Sequence, residues 1–76
     1  MKDSLNIAIA GATGYVGLEL IKILSNHPKA TIIYLCAKRH IGKSINFFDK
    51  KIKKQNLPRI SEIKKINWKK INIIFT

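Results

Sequence analysis

One junction constrains this chain more than any other. The apolar run Leu5-Asn6-Ile7-Ala8-Ile9-Ala10 breaks into Gly11-Ala12-Thr13-Gly14-Tyr15-Val16-Gly17, and a helical pattern follows at once. Three of the four glycines lie in that turn, at GxxGxxG spacing. Gly11 allows a tight exit from a strand, Gly14 lets the main chain meet a ligand unobstructed, and Gly17 lets helix and strand pack closely. Bare N–H groups at the positive end of a helix make a seat for a diphosphate, so a dinucleotide site is expected here. A glycine turn that merely joins strand to helix is the plainer alternative, and the strand and helix on either side weigh against it.

Residues 5–10 read as a strand buried on both faces. A helix fits 14–26: Val16, Leu20, Ile23 and Leu24 recur at helical spacing, Leu18 and Ile21 widen the stripe, and Glu19 and Lys22 face water. His27-Pro28 stops it, because the residue before proline is pushed out of the helical region. Thr31-Ile32-Ile33-Tyr34-Leu35-Cys36 is rich in β-branched and aromatic residues and reads as a second strand. Strand, helix, strand in about thirty residues is a right-handed βαβ unit. Beyond it, 37–42 reads as a polar loop, 43–48 as a turn or short helix, and 49–59 as an exposed lysine-rich connection. A single helical turn capped by Ser61 follows at 61–66, then a last strand at 71–75. The fold class is therefore α/β, a truncated Rossmann-type parallel sheet of strand order 3-2-1, with the run at 71–75 as third strand. The first strand is expected to keep one bare edge, leaving the chain marginally folded and prone to associate there.

Seventy-six residues hold one small domain at most, so 1–76 is expected to be the N-terminal portion of a nucleotide-binding domain, with any catalytic domain absent. The final run has no crossover behind it, and the C-terminus reads as a truncation point. A net charge of +11 raises nucleic acid or an anionic membrane as partners. The cations are overwhelmingly lysine, however, with arginine only at Arg39 and Arg59, and they travel with isoleucine and asparagine. A solvated face is the expectation, with no nucleic acid and no membrane; a small basic nucleic-acid-binding module is the rival from another class. One cysteine, no signal peptide and no apolar run near the roughly 20 residues of a membrane span fit a cytoplasmic protein.

The end of the second strand bears on cofactor choice. An acidic residue there would bind both ribose hydroxyls and repel a 2′-phosphate. The chain instead reads Cys36-Ala37-Lys38-Arg39-His40, placing two firm cations where such a phosphate would lie, and the expected cofactor is NADP. The candidate cofactor-binding residues are Gly11, Ala12, Thr13, Gly14, Tyr15, Val16 and Gly17 from the turn, with Ala37, Lys38 and Arg39 from the strand end. Tyr15 either covers the cofactor or caps the helix start.

These residues resemble a known family. Gly-Ala-Thr-Gly-Tyr-Val-Gly-Leu-Glu-Leu-Ile at 11–21, His27-Pro28, Ala37-Lys38-Arg39 and Ile41-Gly42-Lys43-Ser44-Ile45 look like N-acetyl-gamma-glutamyl-phosphate reductase of arginine biosynthesis. Leu57-Pro58, Ile66-Asn67-Trp68 and the run from Ile71 to Phe75 extend the similarity along essentially the whole chain. The resemblance implies NADPH-dependent reduction of a small acyl phosphate to an aldehyde, by a homo-oligomer when full length. It also implies a cysteine nucleophile and an assisting histidine in a later domain, so the 76-residue chain alone is not catalytically competent and contributes no catalytic residue. Aspartate-semialdehyde dehydrogenase, which shares the overall plan, is the nearest rival; a sugar-nucleotide epimerase or another short-chain-type Rossmann protein comes third.

Cys36 reads as a packed small residue rather than a nucleophile. His27 suits a protonated helix end. His40 reads as a loop residue, and Trp68 as an anchor of the last connection on the sheet. Cysteine and histidine show no metal-ligand spacing, so no metal is expected.

Overall fold

A computed structural model describes residues 5–52 and 57–76. Strand β1 (Leu5–Ala10), helix α1 (Tyr15–Ser25) and strand β2 (Ala30–Cys36) form the expected βαβ unit. The strands run parallel from Leu5 opposite Ala30 to Ala10 opposite Cys36. Ile7 lies opposite Ile32 but Ala8 opposite Tyr34, so Ile33 is an extra residue in β2. A bulge of this kind reverses the alternation of side chains beyond it. Ile32 and Leu35, three apart in sequence, therefore both join Ile7, Ile9, Ala12 and Ile21 in one core.

Helix α1 lies rotated from the orientation its apolar stripe suggests. Gly17 and Ile21 are buried, Leu18, Leu20 and Leu24 are partly buried, and Val16 and Ile23 are 69% and 64% exposed. The cause is the closest point of approach to the sheet: only the residue without a side chain fits there, and once Gly17 faces inward, Ile21 and Leu24 follow it. At the other end the helix closes with the Asn26 N–H donating to the Ile23 carbonyl at 3.3 Å and the His27 N–H to the Leu24 carbonyl at 3.0 Å. His27 Nδ1 accepts the Lys29 N–H at 3.1 Å, so the ring shapes the turn into β2.

Two short strands complete the sheet. Strand β3 (Ile60–Ser61) pairs with β2, and β4 (Ile73–Phe75) pairs with β1, all in parallel, giving the order β3-β2-β1-β4. The order 3-2-1 thus holds with Ile60–Ser61 as third strand. The run at 71–75 is the fourth strand and covers the edge of β1 expected to be bare. A pair of asparagines places it: Asn72 Oδ1 accepts the Asn6 N–H at 2.7 Å, the Asn72 N–H donates to the Asn6 carbonyl at 2.8 Å, and Asn6 Nδ2 donates to the Lys70 carbonyl at 2.9 Å.

Chain direction then decides which face each connection covers. Right-handed crossovers that step from β1 to β2 to β3 lie on one face, and a return past β2 and β1 to β4 must lie on the other. Ile45, in the 3-10 turn Ile45–Phe47, and Ile52 accordingly pack with α1 on the first face. Lys22 Nζ ties the helix to this connection, 2.8 Å from Glu19 and 3.0 Å from Asp49. The Asp49 carboxyl is held below its usual range, chiefly by the Lys51 N–H and then by Lys22. The connection expected to be exposed at 49–59 thus contributes a buried Ile52 and a partly buried Leu57. Lys53, Lys54, Gln55 and Asn56 lie outside the described residues.

On the second face Ile66 packs with Ala8 and Cys36, flanked by Tyr34, Ile71 and Ile74. Two 3-10 turns, Ile63–Lys65 and Trp68–Lys70, carry the chain across. Glu62, not Ser61, stands at the start of the first, because Ser61 is taken into β3. Trp68 is 55% exposed and does not anchor the connection. Ile66, Ile71 and a hydrogen bond from the Asn67 N–H to the Tyr34 hydroxyl (3.1 Å) do so instead.

Ile21→Ala should lower stability by about 2–5 kcal/mol through the cavity it leaves. Val16→Ala should stay within about 0.5 kcal/mol, as exposed positions do. Urea denaturation of the two variants checks the helix rotation, and equal losses would contradict it.

Candidate cofactor-binding site

Gly11 leaves β1 with φ at +70°, where a side chain would be strained. Its carbonyl turns back and accepts the Gly14 N–H at 3.0 Å. A Cβ on Gly17 would stand 2.3 Å from that same oxygen and 2.9 Å from Ala12 Cα, so the helix can start this close to the turn only with glycine there. Gly14 is the residue at which α1 begins, and it offers no side-chain cap. Helix geometry leaves the N–H groups of the first turn without an intrahelical acceptor. Gly14, Tyr15 and Val16 are exposed around them.

Not every residue of the motif has the same access. Ala12 is fully buried and its N–H donates to the Cys36 carbonyl at 2.9 Å, which lashes the turn to the end of β2. Gly17 is buried as well. Ala12 shapes the turn from beneath, while Gly11, Thr13, Gly14, Tyr15, Val16 and Gly17 line open space around it.

That space comes in two parts that share Ala10, Gly11 and Gly14. A cavity of about 410 Å³ lies on the β2 side, walled by Thr13, Cys36, Ala37, Lys38 and Ile63. A second of about 330 Å³ lies toward β4, bounded by Tyr15, Val16, Leu20, Phe75 and Thr76. The second sits between the C-terminal ends of β1 and β4, where strand order reverses and where open α/β sheets bind their ligands. Because Ala10, Gly11 and Gly14 line both cavities, an extended ligand occupying both would pass along the glycine turn.

Lys38 and Arg39 are exposed, and neither has an ion-pair partner among the described residues. Lys38 borders the first cavity; Arg39 is the next residue along the loop. His40 has φ at +65°, and its ring meets Phe48 edge-on at 4.8 Å between centroids. Arg59 donates to the Gly42 carbonyl at 3.1 Å and so holds this loop. The Cys36 thiol is pushed up from its ordinary pKa by burial, against a smaller opposing effect of Ser61 Oγ at 3.9 Å. It is thus a poor nucleophile at neutral pH. Among the described residues no group of side chains is arranged to hold a metal ion, and no helix is long and apolar enough to cross a membrane.

The glycine spacing and the basic pair mark most of this surface. They do not mark Leu20, one turn along α1, nor Ile63, Phe75 and Thr76, which reach it only through the folding of distant segments.

A parallel sheet whose order reverses beside the first strand, with a glycine turn opening the helix at that point, defines a Rossmann-type domain. Residues 6–76 match the family model described as semialdehyde dehydrogenase, NAD binding domain, and the chain belongs to that family. It is 35% identical over 75 residues to N-acetyl-gamma-glutamyl-phosphate reductase of Rhodospirillum rubrum, an alignment covering 99% of this chain and 21% of that protein. The protein of the same name from Ehrlichia ruminantium (strain Gardel) is 38% identical over 76 residues, covering 99% of this chain and 22% of the relative. Among solved structures, aspartate semialdehyde dehydrogenase with NADP from Candida albicans superposes with a TM-score of 0.72 at 26% identity, over 93% of this chain and 22% of that one. The chain thus spans between 21% and 22% of the length of these relatives.

Gly17→Ala should cost about 1–3 kcal/mol, because the clash is with backbone that cannot move aside. Gly11→Ala should cost about 1–2 kcal/mol through its left-handed φ. Denaturation midpoints check both. Cys36 should react with iodoacetamide far more slowly in the folded protein than in urea at pH 7; equal rates would show that the thiol is neither buried nor raised.

Proposed function

We propose that this chain is the cofactor-holding part of an NADPH-dependent reductase that converts N-acetyl-gamma-glutamyl phosphate to its semialdehyde in arginine biosynthesis. The observation that carries the reading is the uncapped glycine turn that lines two cavities, in a chain whose curated relatives bear that reductase's name. The first-turn N–H groups of α1 hold the diphosphate, with Gly11 and Gly14 leaving room for it. Ala37 and Thr13 face the adenosine half, and Lys38 and Arg39 hold the 2′-phosphate by charge-assisted hydrogen bonds. Ala12 acts from beneath, as packing that keeps the turn in shape, and Gly17 lets the helix start close to the turn at the edge of the second cavity. The bound nicotinamide supplies the hydride for the reduction. No residue of this chain makes or breaks a bond; its work is to fix the dinucleotide so that the ring extends over the β4 side. The full-length enzyme on this reading is cytoplasmic and homo-oligomeric, with a small acyl phosphate as substrate and neither nucleic acid nor membrane as partner.

Reduction of aspartyl phosphate by the same cofactor plan is the second reading, favoured by the likeness to the Candida albicans structure. Offering the full-length protein each semialdehyde with phosphate and NADP, and following absorbance of the reduced cofactor, separates the two. Turnover of N-acetylglutamate semialdehyde is expected; turnover of aspartate semialdehyde alone selects the rival.

NADPH should bind at least tenfold more tightly than NADH, a ratio corresponding to about 1.5–3 kcal/mol for hydrogen bonds between charged groups. Lys38→Glu combined with Arg39→Glu should abolish the difference while leaving NADH affinity nearly unchanged. Titration by cofactor fluorescence measures all four affinities, and equal binding of the two cofactors before mutation would refute the assignment.

A further inference from the structure

The cavity on the β2 side has one wall that neither the glycine motif nor the basic pair provides. Ile63 begins the 3-10 turn that follows β3, and it borders the cavity together with Ala10, Gly11 and Gly14. The position is unusual in its own segment. Its neighbours Lys64 and Lys65 are exposed cations, yet Ile63 is a large aliphatic residue left 48% exposed. It belongs to neither apolar cluster of the fold, whereas Ile60 and Ile66 on either side do. A side chain that the core does not use, set on the wall of a cavity, is free to cover a ligand.

The chemistry of the other walls says which part of a ligand. Ala10, Gly11, Cys36, Ala37 and Ile63 offer apolar surface or bare backbone, and only Thr13 and Lys38 bring polar side chains. A phosphate would find a single cation here. A flat, uncharged ring finds apolar surface from two elements, Ile63 from the connection behind β3 and Ala37 from the end of β2. The volume of about 410 Å³ falls within the range typical of small-molecule pockets.

We infer that Ile63 is the base-positioning residue of this site: it closes the apolar cavity over the purine ring and so sets the adenosine half of the cofactor beside Lys38. This rests on the cofactor reading above, and it divides the labour within it. Lys38 and Arg39 recognise the 2′-phosphate, the glycine turn takes the diphosphate, and Ile63 contributes affinity for the base irrespective of the phosphate.

The test uses the full chain, with calorimetric titration of adenosine 2′,5′-bisphosphate, inorganic pyrophosphate, NADPH and NADH against wild type, Ile63→Ala and Ile63→Leu. Because Ile63 stands outside both apolar clusters, Ile63→Ala is expected to keep the wild-type melting temperature without ligand. It should weaken adenosine 2′,5′-bisphosphate, NADPH and NADH about tenfold each, leave pyrophosphate affinity and the NADPH to NADH ratio unchanged, and be rescued by Ile63→Leu. Unaltered bisphosphate affinity in Ile63→Ala, with wild type binding normally, would overturn the role of Ile63 alone. Equal weakening of bisphosphate and pyrophosphate would also overturn it, since the residue would then act by holding the turn. Failure of wild type to bind any of the four would instead bring down the cofactor reading itself.

Discussion

The approach of α1 to the Gly11 carbonyl is the constraint on which the rest of the structure depends. With 2.3 Å between that oxygen and a Cβ at Gly17, the helix has one way to begin. That contact fixes the rotation of α1, and so the burial of Ile21 and the exposure of Val16 and Ile23. It also fixes the direction of the helix axis relative to β1. The first helical turn consequently borders open space beside Ala10. A single steric condition thereby sets a feature of the core and a feature of the site at once.

The part of the fold legible in the sequence is the part determined by near neighbours. β1, α1 and β2 follow from apolar periodicity, glycine spacing and a proline stop, all within about thirty residues, the span of one βαβ unit. Legibility fails where long-range partners decide. β3 is two residues long, too short for any periodicity, and exists because Leu35 and Cys36 offer it an edge. The run at Ile73–Phe75 reads as a strand, but its place beside β1 is decided by Asn6 and Asn72, sixty-six positions apart and unremarkable as residue types. Trp68 shows the opposite error. A large aromatic suggests an anchor, yet the connection is held by Ile66, Ile71 and the Tyr34 hydroxyl, which leaves the indole outside.

The same division runs through the site. The glycine turn and the basic pair are contiguous in the chain, so their pattern is visible before folding. Ile63 and Phe75 arrive from segments whose placement depends on the reversal of strand order. That reversal requires the return connection to cross the second face, and crossing there brings the 3-10 turn after β3 to the wall of the β2-side cavity. The walls of the cleft are thus a product of topology, and its floor a product of local sequence.

Charge plays a different part from either. A net charge of +11 surrounds the whole molecule with a field that draws in any polyanion and speeds its arrival. Such a field falls off within about 8–10 Å at physiological salt and does not distinguish one phosphate compound from another. Distinction has to come from groups whose positions are fixed. Arg59 is engaged with the Gly42 carbonyl and Lys22 with Glu19 and Asp49, so these cations serve the fold. Lys38 and Arg39 lie beyond the ordered end of β2 without an ion-pair partner among the described residues. Lys38 borders the β2-side cavity, and Arg39 follows it along the loop. On the proposed reading these two cations make the first specific contacts with a phosphorylated ligand drawn in by the surrounding lysines.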